Sequence, residues 1–254
     1  MLVLAVETAT DVAGVALADG SGVLATAALW RGRRHAETVA PAIEFVCARA
    51  GVALRELEAI VVDEGPGLFT GLRVGVSTAK ALAYALEVPV VPVGSLHVLA
   101  AAAALWGAPA GQVVVPVVDA RRGEVFWGRF RVHGEQRVPG APLTVPAAEG
   151  PVTLARPEEV AAGLRELAGG EPVRVLGDGA RRYAELLGAV PGVQIVGGSA
   201  PPVEVLAQLG AAAAAVGAGV DAAFVVPRYL RQADARINWE QRLAPRPLSR
   251  SEVP

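Results

Sequence analysis

The residues best placed to do chemistry lie between Glu64 and Ala85, where an apolar run, Ala59-Ile60-Val61-Val62, meets Gly65-Pro66-Gly67 and then a helical pattern. Glycines ahead of a helix can cradle a phosphate, because free amides and the helix dipole favour an anion. The same residues also make a tight strand-to-helix turn with no ligand, and general motif risk favours that use. No Gly-Lys-Ser/Thr ending follows, so the stretch is not a P-loop. Thr70 reads as the N-cap of the following helix. Gly71, Gly75, Ala79 and Ala83 then fall four apart, a row that lets a second helix approach closely. The histidines are His35, His97 and His133, and no two are spaced to share a metal ion. No Ser-His-Asp order is identifiable. Cys47 sits at helical spacing from Ile43 and reads as a packed core thiol.

These residues need elements to hold them. Leu2 to Val6 reads as a strand closing in Glu7, followed by two further strands, Val12 to Leu17 and Gly22 to Leu29, around the turn Asp19-Gly20-Ser21-Gly22. Helices are predicted from His35 to Ala50, from about Gly71 to Ala85 and from about Ser95 to Trp106, alternating with strands at Ala59–Val62 and Val88–Val91. Three antiparallel strands followed by helix, strand, helix, strand is a ribonuclease H-like order. A weaker echo begins at Val113–Val118, which again ends in an acid, Asp119. A strand from Glu124 to Val132, a strand or loop over Val138–Val145, a helix from Pro157 to Leu167 and the strand Val173–Leu176 with the turn Gly177-Asp178-Gly179 follow. Two such halves predict an α/β, actin-like (ASKHA) chain of two lobes. The expected divisions are a first lobe over 1–107 and a second over 108–200. A helix over 201–230 should return to the first lobe, ahead of a polar tail over 231–254 containing several arginines around Trp239.

In actin-like folds acids at strand ends can hold a cation beside ATP. Glu7 and Asp119 occupy such ends, with Arg121 close by, so these three are the candidate nucleotide-proximal residues. The hairpin after Glu7, Thr8-Ala9-Thr10-Asp11, has no glycine for close approach to phosphate. Contacts from both acids to local backbone N–H groups are the favoured reading.

Bulk composition narrows the classes further. A chain of 254 residues with mean hydropathy +0.43 has ample core, and 19% charged residues argue against disorder over most of its length. No run approaches the ~18 apolar residues of a spanning helix. Leu2–Val6 has no basic segment before it and reads as a first strand, not a signal peptide. One cysteine excludes an internal disulfide and fits a reducing cytoplasm. Arginine supplies all the basic residues except Lys80, yet the net charge is −2, so the chain as a whole is no electrostatic nucleic-acid binder.

The stretch Gly65-Pro66-Gly67-Leu68-Phe69-Thr70-Gly71-Leu72-Arg73-Val74-Gly75 resembles the GPGSFTGLRIG signature of the TsaB (YeaZ-like) family, with Leu68 in place of its usual Ser. Other motifs follow in order. Ala5-Val6-Glu7-Thr8-Ala9-Thr10 is similar to the opening AIDTAT, with Glu7 for Asp. Arg34-His35-Ala36-Glu37 matches the first-helix pattern. Asp119-Ala120-Arg121-Arg122-Gly123-Glu124-Val125 matches DAR-x-x-EVY, with Phe126 for Tyr, and Pro227-Arg228-Tyr229-Leu230-Arg231 matches P-x-YLR. The resemblance covers nearly the whole chain.

It implies a non-catalytic scaffold or activator that binds TsaD in the bacterial machinery placing threonylcarbamoyl on the tRNA adenosine beside the anticodon. It also implies a TsaE ATPase in the complex, a homodimer when alone, and tRNA contact only through the assembly. No cofactor is expected in the chain alone, although ATP or ADP could lie at the interface with TsaD. The paired helices are the expected partner face, with His35, Val39, Gly71, Gly75, Ala79 and Ala83 as interface residues. TsaD itself carries two histidines four apart that hold a metal, a pair missing here. The competing reading is a stand-alone actin-like ATP-dependent enzyme or a metallopeptidase-like protein.

Overall fold

The computed structural model describes residues 1–30, 34–132, 145–169 and 171–231. His133, the Val138–Val145 stretch up to residue 144 and the tail beyond Arg231 lie outside the described residues. The first sheet is built from β1 (Val3–Glu7), β2 (Ala13–Asp19), β3 (Gly22–Leu29), β4 (Ala59–Gly65) and β5 (Val90–Gly94), in the order β3-β2-β1-β4-β5. β2 and β3 run antiparallel to their neighbours, while β1, β4 and β5 are mutually parallel. Helices α1 (His35–Ala50), α2 (Phe69–Leu86) and α3 (Ser95–Leu105) follow β3, β4 and β5 in the chain.

Alternation along β1 sorts its side chains onto two faces. Leu4 and Val6 pack with Val39, Ile43 and Val46 of α1 and with Val76, Ala79 and Ala83 of α2. Val3 and Ala5 point to the other face, against Val98 of α3 and Leu206 of α7 (Val203–Ala215). Each fully buried Val, Leu or Ile is worth about 1.5–3 kcal/mol, so these two layers carry most of the lobe's stability.

The second sheet repeats the first. Its path is β10 (Thr153–Ala155), β7 (Glu124–Trp127), β6 (Val113–Arg121), β11 (Val173–Leu176) and β12 (Val193–Ile195). Position for position this is the order of β3-β2-β1-β4-β5, and β6, β11 and β12 are again parallel. Helices α4 (Pro157–Leu167), α5 (Asp178–Arg182) and α6 (Ala184–Gly188) belong to this half, together with the short pair β8 (Phe130–Arg131) and β9 (Ala147–Ala148). The chain therefore has the two-lobed, actin-like α/β fold of two ribonuclease H-like halves. α3 joins them: Val98, Ala101 and Ala102 enter the first core, and Leu96, Leu99 and Ala103 enter the second. A helix apolar on all sides must be buried on all sides.

Three expectations need correction. The strand foreseen over Glu124–Val132 breaks at Gly128, splitting into β7 and β8. The break faces Pro116 of β6, which has no N–H to continue a ladder. The turn read at Gly177-Asp178-Gly179 is the start of α5, entered through Gly177 at φ 109°. Finally, α2 begins at Phe69, with Leu68 at its N-cap and no side-chain cap, so Thr70 stands exposed inside the first turn.

Candidate functional site

The strand ends of both lobes converge on one cleft. Glu7 ends β1 and is 1% exposed, with its Oε1 accepting the Ala9 N–H at 2.7 Å. Asp63, near the end of the adjacent parallel strand β4, is fully buried. Its Oδ1 accepts from the Gly65 N–H at 2.8 Å and from the Ser95 hydroxyl at 2.6 Å. The second oxygens, Glu7 Oε2 and Asp63 Oδ2, are buried and meet no donor. Burial pushes both carboxyls above the usual carboxylate range, and each feels the other. A single proton held between them would satisfy both orphaned oxygens.

The second lobe presents the matching acids differently. Asp119, near the end of β6 and almost fully buried, takes the Arg121 N–H on Oδ1 at 3.0 Å. Its Oδ2 accepts from Arg121 Nη1 and Arg182 Nη1, each at 3.0 Å. Asp178, following β11, accepts the Asp119 and Gly179 N–H groups at 2.9 and 2.8 Å. Burial first, and then the Asp119 charge, pushes Asp178 up to about 6. Arg121 crosses between the lobes to reach Asp11 Oδ2 at 2.5 Å.

Glu7 and Asp119 thus both turn back onto backbone two residues ahead, and Arg121 sits beside Asp119. Asp63, Asp178, Asp11 and Arg182 went unrecognised in the sequence, although β4, like β1, is an apolar run that closes on acids.

The Gly-Pro-Gly turn is packed shut. A Cβ on Gly67 would stand 2.2 Å from the Ala9 carbonyl oxygen, and the Leu68 N–H donates to that oxygen at 2.7 Å. The Gly65 N–H is taken by Asp63. These two amides are spent on the protein. Among the described residues, no three His, Cys, Asp or Glu side chains group to hold a metal ion.

The small-residue row also faces inward. A Cβ on Gly71 would lie 2.0 Å from the Thr8 carbonyl oxygen, and one on Gly75 2.3 Å from Thr8 Oγ1. Ala79 and Ala83 are buried in the first core with Val39. His35 is likewise buried, its Nε2–H donating to the Thr10 carbonyl at 2.9 Å. All six expected interface residues therefore serve the lobe's own packing. The outward faces of the two neighbouring helices carry other residues: Glu44 and Phe45 on α1, and Ser77, Ala81, Tyr84 and Ala85 on α2. Tyr84 is 85% exposed and Phe45 55%.

Comparison with known proteins adds the family. The model described as TsaD, tRNA N6-adenosine threonylcarbamoyltransferase, matches residues 20–161. The chain is similar to the tRNA threonylcarbamoyladenosine biosynthesis protein TsaB of Bacillus subtilis, 32% identical over 246 residues, which cover 94% of this chain and 98% of that protein. The Escherichia coli protein of the same name is 33% identical over 142 residues, covering 54% of this chain and 60% of that one. Among solved structures, YeaZ from Pseudomonas aeruginosa superposes with TM-score 0.73 at 29% identity, over 90% of this chain and 99% of that one. With a relative matched from end to end above 30% identity, the chain belongs to the TsaB, or YeaZ-like, family.

Proposed function

We propose that this chain is a non-catalytic binding subunit in tRNA threonylcarbamoyladenosine biosynthesis, which docks on TsaD through the outward faces of α1 and α2. The TsaE ATPase joins the same assembly, and a homodimer through that face forms when TsaD is absent. tRNA is met through the complex, in the cytoplasm. No cofactor is held by the chain alone, and ATP or ADP would sit where it meets TsaD.

The observation that carries this reading is the exposure of Phe45 and Tyr84 on adjacent helices. Large aromatic side chains left in water on one face are what interface anchors look like. The acids of the cleft support the non-catalytic part, because Glu7 and Asp63 each spend one oxygen on local backbone amides and Asp119 spends both of its oxygens on Arg121 and Arg182. The end-to-end similarity to a protein named for this biosynthesis supports the pathway.

Phe45→Glu and Tyr84→Glu test it. Each places a charge on the face without touching the core, so circular dichroism should be unchanged. Co-purification with TsaD and threonylcarbamoyladenosine formation in a mixture containing TsaD and TsaE should both fall at least tenfold. Folded variants that bind TsaD normally would place the interface elsewhere.

A further inference from the structure

Beyond α7 the chain crosses the first lobe as a strap. Val220 pairs with Val90 of β5, each N–H donating to the other's carbonyl, at 2.8 and 2.9 Å. A short 3-10 helix, Ala222–Phe224, follows, with Asp221 accepting the Ala223 N–H at 2.7 Å. Lys80 of α2, the one lysine in the sequence, donates to the Ala223 and Val225 carbonyls at 3.3 and 2.9 Å. The Arg228 N–H then reaches the Glu64 carbonyl at 2.7 Å. Ala222 and Val225 pack in the same core as Val39 of α1 and Val76 of α2. The strap is therefore a third element of that layer, beside α2 at the β5 end of the sheet.

Its backbone is fixed from within, and its large side chains are left outside. Val225 is buried in extended backbone, so its neighbours on either side turn to water. Phe224 is 79% exposed and Val226 64%. Phe224 is the third exposed aromatic of the layer, after Phe45 on α1 and Tyr84 on α2, one from each element. Between α2 and the strap runs an open groove of about 630 Å³, lined by Tyr84, Glu87, Val88, Pro89, Asp221 and Ala222 among others. Phe224 follows Ala222 of its far wall. The charged residues of the groove, Glu87 and Asp221, are both acids, and α2 ends there with the negative end of its dipole.

We infer that TsaD, docked as proposed above, also covers this strap. An apolar element of TsaD lies across Phe224 and Val226 and sets a basic side chain toward Glu87 and Asp221. The inference rests on the reading of α1 and α2 as the docking face and extends that face to a third element. Continuity with Tyr84 selects the partner, and the two acids select the sign of its charge. Lys80 acts as a positioning residue, holding the strap's backbone so that its apolar side chains stay outward.

The test is calorimetric titration of TsaD into the native chain, Tyr84→Glu, Phe224→Asp, Val226→Asp and Glu87→Gln, with circular dichroism and sedimentation of each variant alone. Phe224→Asp and Val226→Asp alter exposed side chains, so both should fold and bind TsaD about tenfold more weakly or worse. Glu87→Gln should weaken binding about two- to fivefold, the size of one exposed charge contact, and reduce its salt dependence. If both strap variants are folded and bind normally while Tyr84→Glu does not, the docking face stands and its extension to the strap is wrong. If Tyr84→Glu binds normally as well, the reading of the face itself fails and takes this inference with it. Loss of self-association with TsaD binding intact would make the occupant a second copy and overturn the assignment to TsaD. An unchanged salt dependence in Glu87→Gln would remove the basic side chain. If both strap variants unfold, the strap is internal packing and the inference is wrong.

Discussion

The Thr8 hydroxyl donates to the Gly71 carbonyl at 2.8 Å, tying the residue after β1 to the first turn of α2. Thr8 is fully buried, and its carbonyl and side chain fill the space that side chains at Gly71 and Gly75 would need. The helix therefore rides on the β1–β2 turn at backbone distance.

Gly75→Ala should destabilise the chain by about 1–3 kcal/mol, the cost of forcing a methyl group into a packed interior. The added Cβ meets Thr8 Oγ1, so Thr8→Ala should recover part of the loss. Denaturant midpoints for the two single variants and the double give the coupling, expected at about 1 kcal/mol. Additive effects would mean the strain is relieved elsewhere.

Thr70→Ala should be nearly silent, within about 0.5 kcal/mol, as exposed substitutions away from special features are. Thr70 follows Phe69 inside the helix and caps nothing. A fall in midpoint equivalent to about 1 kcal/mol would restore it as the N-cap.

The cleft acids should make stability fall as pH rises. Glu7, Asp63 and Asp178 all bind protons more tightly in the folded chain than in the unfolded one. Their contribution is complete below the unfolded carboxylate range near ~4. Asp178 loses its part as pH passes about 6, and the Glu7–Asp63 pair loses its part above that. Between pH 5 and 8 the loss should be on the order of 2 kcal/mol. Asp63→Asn keeps an oxygen for Gly65 and Ser95 and offers an N–H toward Glu7, so it should remove Asp63's part of that slope, lower Glu7's and leave Asp178's. Urea unfolding at several pH values checks both statements, and equal slopes in the two proteins would refute the shared proton.

Much of the first lobe was legible because its signals are local. Alternation in Leu2–Val6, the apolar face of His35–Ala50 and the break at Gly65-Pro66-Gly67 each depend on residues close in sequence. The small-residue row showed that something approaches α2 closely but could not say what. Its neighbour, Thr8, lies 63 positions from Gly71. The same limit hid the cleft, where Arg121 meets a carboxylate 110 positions away. α5 and α6 were missed because five residues are too few to show a helical period.

α7 sets an order on synthesis. One face of the first sheet, including Val3, Ala5, Ala16 and Val61, is covered in part by residues 203–215, and the fit is close enough that a Cβ on Gly210 would stand 2.3 Å from Val61 Cγ1. The strands of the second lobe, by contrast, all lie between residues 113 and 195. On the ribosome, the half that emerges first must wait with this face covered only in part, by α3, while the later half completes its sheet. A chain cut before residue 203 would therefore leave that face of its first core without the helix that completes it.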